Sequence, residues 1–409
     1  MAPPATDLAA QVRALHGVPA LLAAAEGLAP LHLVGGAVRD ILRGERPVDL
    51  DVTVEGDAVA TATELAGRLD GRAVTHERFG TALVRSEVVS VDLAATRRER
   101  YPRPGALPEV EPARLAEDLG RRDFTVNAMA IGLSGPDLGV LRDPHGGRAD
   151  LGSGLIRVLH GRSFLDDPTR LLRAVRYETR LGFALDEDTE RLAAEAAAAG
   201  APATVSGPRV RDELLDLLGE AEAPAAVGRL RDLGIAAALH PRLRADRELV
   251  AGAALGSAET GASPVLTGLA ALCSGAPGEV EGFVAGLGLA AADRATVLRA
   301  AARAPVLAES LRVQLRNSQL HSLLAPEPPE ALALALALGA PGEAVLRYVS
   351  ELRGARLQIT GQDLLAAGVP SSPAIGRALE ETLRRTLDGE LPGREEQLRA
   401  ALALAEAGG

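Results

Sequence analysis

The sequence predicts an α+β protein, with a small mixed sheet and helices in the first 150 residues and an all-helical remainder. Two observations carry this. Residues 30–145 alternate helical stretches with short runs rich in Val, Leu and Thr, and each run stops at Gly, Ser or charged residues, as strands do. After about Gly154, Leu, Ala, Arg and Glu recur at three-and-four spacing, the period of a helix face. In order, the strand runs are LHLVGG from Leu31, VDLDVTV from Val48, ALVRSEVVSVDLA from Ala82 and AMAIGL from Ala128.

In the helical part, Gly200–Pro208, Gly256–Pro264 and Pro326–Pro329 read as linkers. Two alanine-rich patches, AAEAAAAGA near residue 195 and ALALALALGA near 335, are predicted helices. The second alternates with period two, which suits a strand. Ala and Leu are strong helix formers and its neighbours are helical, so helix is expected. No repeat of fixed period occurs.

The chain has 409 residues and a formal net charge of −11, and its 44 basic residues are all arginine. Bulk acidity argues against coating nucleic acid by charge alone and leaves a local basic surface open. Without lysine, every cationic contact comes from a guanidinium fork. The single Cys273 excludes a disulfide framework and a thiolate metal cluster, and it reads as a small core residue. A reducing cytoplasm is expected. The opening MAPPATDLAAQVRALHG lacks a basic region followed by an apolar core, so no signal peptide is expected. No apolar run of about 18 residues is present to cross a membrane. The seven histidines, His145 and His160 among them, show no metal-ligand spacing.

The first chemical constellation is LHLVGGAVRDILRGERPVDLDVTVEG. A strand enters Gly35-Gly36, a helix carries Arg39 and Asp40, and a second strand carries Asp49 and Asp51. Residues two apart on a strand share a face, so both carboxylates are expected to point the same way. Close like charges repel unless a cation sits between them, and hard oxygen ligands suit Mg²⁺. Paired glycines allow close backbone approach, and a helix N-terminus beside them favours phosphate. A bare pair of aspartates is as compatible with a solvated strand end. The glycine turn, the VRD helix and DLD at this spacing together favour the metal reading.

With these motifs the sequence resembles the nucleotidyltransferase superfamily of DNA polymerase β, and within it the class II tRNA nucleotidyltransferases and bacterial poly(A) polymerases. GGAVRD with DLDVTVEG is similar to the first family motif and RRDFTVNAMA from Arg121 to the second. DPHGGRADLGSGLIRVL from Asp143 is similar to the third. DDPTRLLRAVRYETRLGF from Asp166 resembles the nucleotide-base template EDxxR, with Asp166 where Glu is common. VSGPRVRDEL from Val205 resembles the fifth motif, SxERIxxEL, with Pro208 in place of its Glu. ITGQDLLAAGVPSSPAIGRAL from Ile359 resembles the tail of the longer bacterial members.

The resemblance implies a catalytic head (1–150), a helical neck with the base template (151–220), a helical body (221–340) and a helical tail (341–409) that binds tRNA. It implies that Asp49 and Asp51 hold two Mg²⁺ ions, with Asp92 at the position where the superfamily often places a third carboxylate. An ordinary strand-end aspartate is the other reading of Asp92. Gly35, Gly36 and Arg39 would cradle the triphosphate of ATP or CTP, and Arg122 would contact the nucleotide. Asn127 reads equally as a turn or capping residue.

In the fourth motif, Asp167-Pro168 reads as an N-cap followed by Pro at the first helical position. Arg170, Arg173, Arg176 and Arg180 fall on one arc of the helix, opposite Leu171, Leu172 and Val175. Alone, such a stripe reads as a solvated face. In the family context Asp167 accepts from the exocyclic amine of cytosine or adenine and Arg170 donates to the ring edge, whereas uracil and guanine present a carbonyl. Arg173 and Arg176 are expected to orient Asp167 and reach the phosphates. The implied partners are the 3′ end and acceptor arm of tRNA, with no membrane and no DNA.

Three activities share these motifs: adding CCA, adding CC, or adding A. The segment Arg97–Arg121 resembles a family loop and is full length where CC-adding members tend to have it shortened, which argues against CC-only addition. A poly(A) polymerase fits less well, since the tail is of the tRNA-enzyme type and no basic extension follows. No HxxxxHD phosphohydrolase pattern is present. An inert RNA-binding relative would not need intact Asp49, Asp51, Asp167 and Arg170. A small-molecule nucleotidyltransferase would not need the base template.

Overall fold

The computed structural model describes residues 7–76 and 80–407. The expectation of no signal peptide falls partly on residues 1–6, which lie outside that range. The chain divides into two compact units, one reaching Glu213 and including Asp232–Leu239, the other formed by Leu214–Arg231 and the residues from His240 onward.

The first unit is built on a seven-stranded sheet in the order β3-β4-β5-β2-β1-β8-β9. The strands are β1 (Leu31–Val34), β2 (Asp51–Val54), β3 (Arg72–His76), β4 (Thr81–Arg85) and β5 (Ser90–Ala95). A separate hairpin follows, β6 (Arg97–Arg100) with β7 (Glu109–Pro112), before β8 (Ala130–Gly132) and β9 (Leu141–Arg142) close the sheet. Short β10 (Leu155–Ile156) and β11 (Ala184–Leu185) pair in parallel. The main sheet is mixed, since β1 is antiparallel to β2 and β8 while β2 is parallel to β5. This is the α+β class the sequence predicts, with a helical remainder.

Every residue of β1 is buried, as expected for a central strand. Its Leu31 and Leu33 join Val52, Val54, Val91 and Leu93 in the core. Each such side chain contributes about 1.5–3 kcal/mol when removed from water. The helix Ala58–Arg68 adds Ala62 and Leu65, and its first turn is capped by Asp57, which accepts from Val59 N and Ala60 N. That cap is worth about 1 kcal/mol.

Three local expectations are corrected. Asp49 does not lie on a strand: it sits in a bend, and β2 starts at Asp51. Ladder pairing sets this start, because Asp92 N donates to Leu50 O and Asp51 is the first β2 residue in register with β5, opposite Asp92. Residues 256–260 are not a linker but the end of the helix Arg247–Thr260, which stops at Gly261. Gly256 serves packing: a Cβ there would lie 2.5 Å from Ala333 O on the helix Pro329–Ala337. Within Arg97–Arg121, much of what reads as loop is the β6–β7 hairpin, whose exposed strands lack the apolar alternation of a core strand.

In the second unit every regular element among the described residues is helical. The alternating segment at 335 is helix, as expected. Cys273 is fully buried on the helix Pro264–Cys273, and burial pushes its thiol up to about 12. Among the described residues no helix is long and apolar enough to cross a membrane.

Candidate active site

The glycine turn after β1 opens the site. Gly35 has φ 69° and ψ −137°, a conformation that only glycine adopts without strain. A Cβ there would lie 3.2 Å from Arg122 Nη1 and 3.7 Å from Asp51 Oδ2. The turn therefore lies against both a proposed nucleotide contact and a proposed metal ligand. The helix Gly36–Leu42 then turns Arg39 inward, where Nη1 donates to Asn127 Oδ1 at 2.8 Å and Nε to Asp40 at 2.9 Å. Asn127, which the sequence left between capping and function, bridges this arginine to Asp123, donating through Nδ2 at 3.1 Å.

Asp51 and Asp92 are neighbours across the parallel β2–β5 pair. Burial and the charges of Asp92 and Asp49 raise the Asp51 carboxyl above its usual range, against the pull of Arg122. Three hard oxygen donors with too little positive charge among them suit a divalent cation. Among the described residues, no three His, Cys, Asp or Glu side chains already form a metal cage. Asp49 is exposed in its bend, ahead of the strand.

The second motif is arranged around buried acids. Asp118 is fully buried and accepts from Arg121 and Arg122, at 2.8 and 3.0 Å from their Nη2 atoms. Burial opposes its charge, but the two guanidiniums outweigh that and hold its carboxyl below the usual range. Asp123 accepts from Arg173 Nη2 at 2.6 Å and Nε at 2.9 Å. Burial again opposes charge there, and Arg173 with Asn127 prevails, so this carboxyl is also lowered.

The template helix runs from Thr169 to Leu181. Pro168 occupies the cap position by backbone geometry, while the Asp167 side chain does the capping, its Oδ1 accepting from Thr169 N at 3.1 Å and Oγ1 at 2.7 Å. The arginine stripe is not a solvated face. Arg170 is 5% exposed, donating to Ser163 Oγ and to the Arg121 carbonyl, each at 2.7 Å. Arg173 and Arg176 do not hold Asp167: they pair with Glu213 at 3.1 and 3.0 Å, Arg173 also with Asp123. Asp167 is held instead by Arg209, whose Nη2 lies 2.7 Å from Oδ1 and whose Nη1 donates to Gly105 O at 3.2 Å. Among the described residues, Asp167 Oδ2 accepts no hydrogen bond.

Beside the template lies Tyr177, buried edge-on to Phe124 with ring centroids 5.8 Å apart. The guanidiniums of Arg39, Arg173, Arg176 and Arg180 sit 5.1–5.5 Å from its centroid. The electron-rich ring faces supply part of the negative field that lets so many like charges share the site. Burial, then the charge of Asp123, raises the phenol.

These elements enclose a cleft of about 340 Å³ lined by Gly35, Gly36, Asp51, Arg122, Asp167, Arg170 and Arg173. Asp92 lines an adjoining cleft that shares Asp51 and Arg122, Arg39 and Arg176 sit outside the lining, and Asp49 lines neither. Sequence reasoning missed Glu99, Tyr101, Arg209, Glu213 and Tyr177. Glu99 accepts from Arg121 Nη1 at 2.8 Å and from Tyr101 Oη at 3.0 Å. Arg209 and Glu213 were within reach, since both stand in the fifth-motif segment VSGPRVRDEL.

A glycine turn and a strand-borne aspartate beside a part-buried carboxylate and a buried arginine fit a nucleotidyltransferase of the polymerase β type. Residues 31–157 match the family described as poly A polymerase head domain, and residues 182–246 match one described as probable RNA and SrmB-binding site of polymerase A. The chain is 34% identical to the CC-adding tRNA nucleotidyltransferase of Deinococcus radiodurans, covering 91% of this chain and 89% of that one. It is 36% identical to the A-adding tRNA nucleotidyltransferase of Geobacter sulfurreducens over 92% of its own length, and spans 45% of that relative. A solved CCA-adding enzyme in an apo form superposes with a TM-score of 0.81 at 32% identity, with 91% of each chain covered. The chain belongs to the tRNA nucleotidyltransferase family.

Proposed function

We propose that this chain builds or repairs the 3′-terminal CCA of tRNA, selecting CTP and ATP without a nucleic-acid template and releasing pyrophosphate. The observation that carries this reading is Asp167: Arg209 and Thr169 load Oδ1, while Oδ2 is left as an acceptor in the cleft shared with Arg170 and Asp51. Cytosine and adenine each offer an exocyclic amine to a carboxylate and a ring nitrogen to a guanidinium. Uracil and guanine would set a carbonyl against Oδ2 and leave buried groups unpaired, costing about 1–3 kcal/mol.

Asp49 and Asp51, with Asp92 beside them, would hold Mg²⁺. When bound, the ions supply activation of the RNA 3′-hydroxyl and stabilisation of the leaving pyrophosphate. The chain's own part is to position. The Gly35-Gly36 turn clears space for the triphosphate, and Arg122, held by Asp118, points its fork at it. Buried Arg39 and Arg176 stand behind that cleft and add field rather than direct contact. We assign the four-part division, head (1–150), neck (151–220), body (221–340) and tail (341–409), and a tRNA grip made by the helical parts through phosphate and shape. The reaction is placed in the cytoplasm, where the lone buried Cys273 is at home.

A second reading, addition of A alone beside a separate CC-adding enzyme, is supported by the similarity to a relative named A-adding. The full-length Arg97–Arg121 segment argues against CC-only addition and fits both readings. Incubating tRNA that ends before C74 with CTP, ATP or both, then sizing the products, tests both readings. Extension by CCA supports the first. No extension of that tRNA, with a single A added to tRNA ending in CC, supports the second. Failure to extend either acceptor overturns both.

A further inference from the structure

We propose that Arg316 and Arg347 of the second unit form a contact site for the phosphate–ribose backbone of the acceptor RNA. This rests on tRNA being the substrate. The starting point is a guanidinium that its surroundings do not satisfy. Among the described residues Arg347 makes no ion pair, and its Nε is buried without a hydrogen-bond partner. Other arginines of the unit are held: Arg299 and Arg303 set Nε 2.8 and 2.7 Å from the two oxygens of buried Glu327. Leaving a buried donor unpaired is costly, and such a group in a native fold calls for an explanation.

Arg347 ends the helix Gly342–Arg347, where the chain widens into a π-helical turn, Tyr348–Leu352. Such turns are rare and concentrate at functional sites. Arg347 lines a cavity of about 440 Å³ with Gln314, Arg316, Asn317 and Asp388. The one carboxylate there is already engaged, accepting from Ser318 N at 2.8 Å and Ser318 Oγ at 2.7 Å, with Arg316 at 3.4 Å and Arg384 at 3.9 Å. Arg384 is held by Glu381, so two lining guanidiniums, Arg316 and Arg347, face one acid that is spent on capping a helix, and the surplus is positive.

The remaining lining selects the ligand. Asn317 donates to Leu387 O and keeps its Oδ1 as an acceptor, and Gln314 offers a second carboxamide. Exposed Val313 and Leu346 adjoin Gln314 and Arg347 in the chain. A free phosphate needs donors alone. A ribose also offers a 2′-hydroxyl that donates and accepts, and carbon to cover, which carboxamides and aliphatic side chains match.

The test measures binding of the full chain to tRNA lacking its terminal adenosine, by fluorescence anisotropy across a salt series. Arg347→Gln, which keeps a long side chain, and Arg316→Ala, at a largely exposed position, are expected to bind more weakly. Each should lower the salt slope by about one. Exposed Arg294→Ala, outside the cavity, is expected to keep the wild-type slope. Wild-type slope and affinity in both cavity variants would overturn the site, as would an equal effect of Arg294→Ala. Thermal stabilisation of the wild type, but not of Arg347→Gln, by inorganic phosphate with unchanged RNA slopes would overturn the RNA assignment in favour of a free anion. A lowered slope in a chain that extends no tRNA supports this site while removing the proposed reaction, so the two fail separately.

Discussion

Arg209 holds Asp167 by one oxygen only. Its Nη2 lies 2.7 Å from Oδ1 and its Nη1 reaches the carbonyl of Gly105, while Oδ2 of this cleft-lining residue accepts no hydrogen bond among the described residues. The carboxylate is thereby oriented ahead of ligand binding, which reduces the ordering cost of that step.

Arg209→Ala is expected to free Asp167 to rotate. Selection against UTP and GTP should weaken by about tenfold, the equivalent of about 1.4 kcal/mol. Single-nucleotide incorporation with each of the four triphosphates measures this, and an unchanged preference order would remove Arg209 from the reader. Asp167→Ala or Arg170→Ala should loosen the same selection further.

Asp49→Ala and Asp51→Ala are expected to abolish nucleotide incorporation while tRNA binding stays near wild type. Turnover in either variant would remove that residue from the metal set. Asp92→Ala separates its two readings, since a strand-end aspartate would lose little activity and a third ligand would lose most of it.

Gly35→Ala tests the turn. At φ 69° the new Cβ is strained and stands 3.2 Å from Arg122 Nη1, with Asp51 Oδ2 just beyond. A stability loss of about 1–3 kcal/mol is expected, with at least a tenfold drop in kcat/KM. Denaturant unfolding and steady-state incorporation measure the two effects. Wild-type values for both would show that the turn tolerates a side chain.

Asp123 makes stability depend on acid. Its folded pKa lies below the unfolded value of about 3.9, so its contribution is complete above that pH and is lost as pH falls toward the folded value. Asp123→Asn should cost about 1–3 kcal/mol at neutral pH by removing a charged partner of half-buried Arg173, which keeps Glu213, and should flatten the acid side of the stability profile. Denaturant unfolding across pH checks this. Parallel profiles for the two proteins would assign the acid sensitivity elsewhere.

Much of the site was legible because its chemistry is local. Gly35 and Gly36, the aspartates flanking Leu50, Arg121-Arg122 and Asp167–Arg170 are near neighbours in the chain, where turn, strand and helix periods constrain geometry. Two expectations failed for the same reason. Strand alternation put Asp49 and Asp51 on one face, yet the ladder with β5 admits only Asp51. Gly256 reads as a loop residue until Ala333 is seen 2.5 Å from its missing Cβ.

The sequence by itself determined the α+β class, the family motifs and which side chains can carry metal and base recognition, because each follows from residue type at short spacing. Only the tertiary structure decided who holds whom. Arg209 meets Asp167 across 42 positions, and Arg173 meets Asp123 across 50. Buried charges must be neutralised by whatever partner packing brings within about 3 Å, and no local period encodes that distance. Arg173 and Arg176, expected to orient Asp167, therefore serve Asp123 and Glu213, and a single arginine from the next motif sets the carboxylate proposed to read the base.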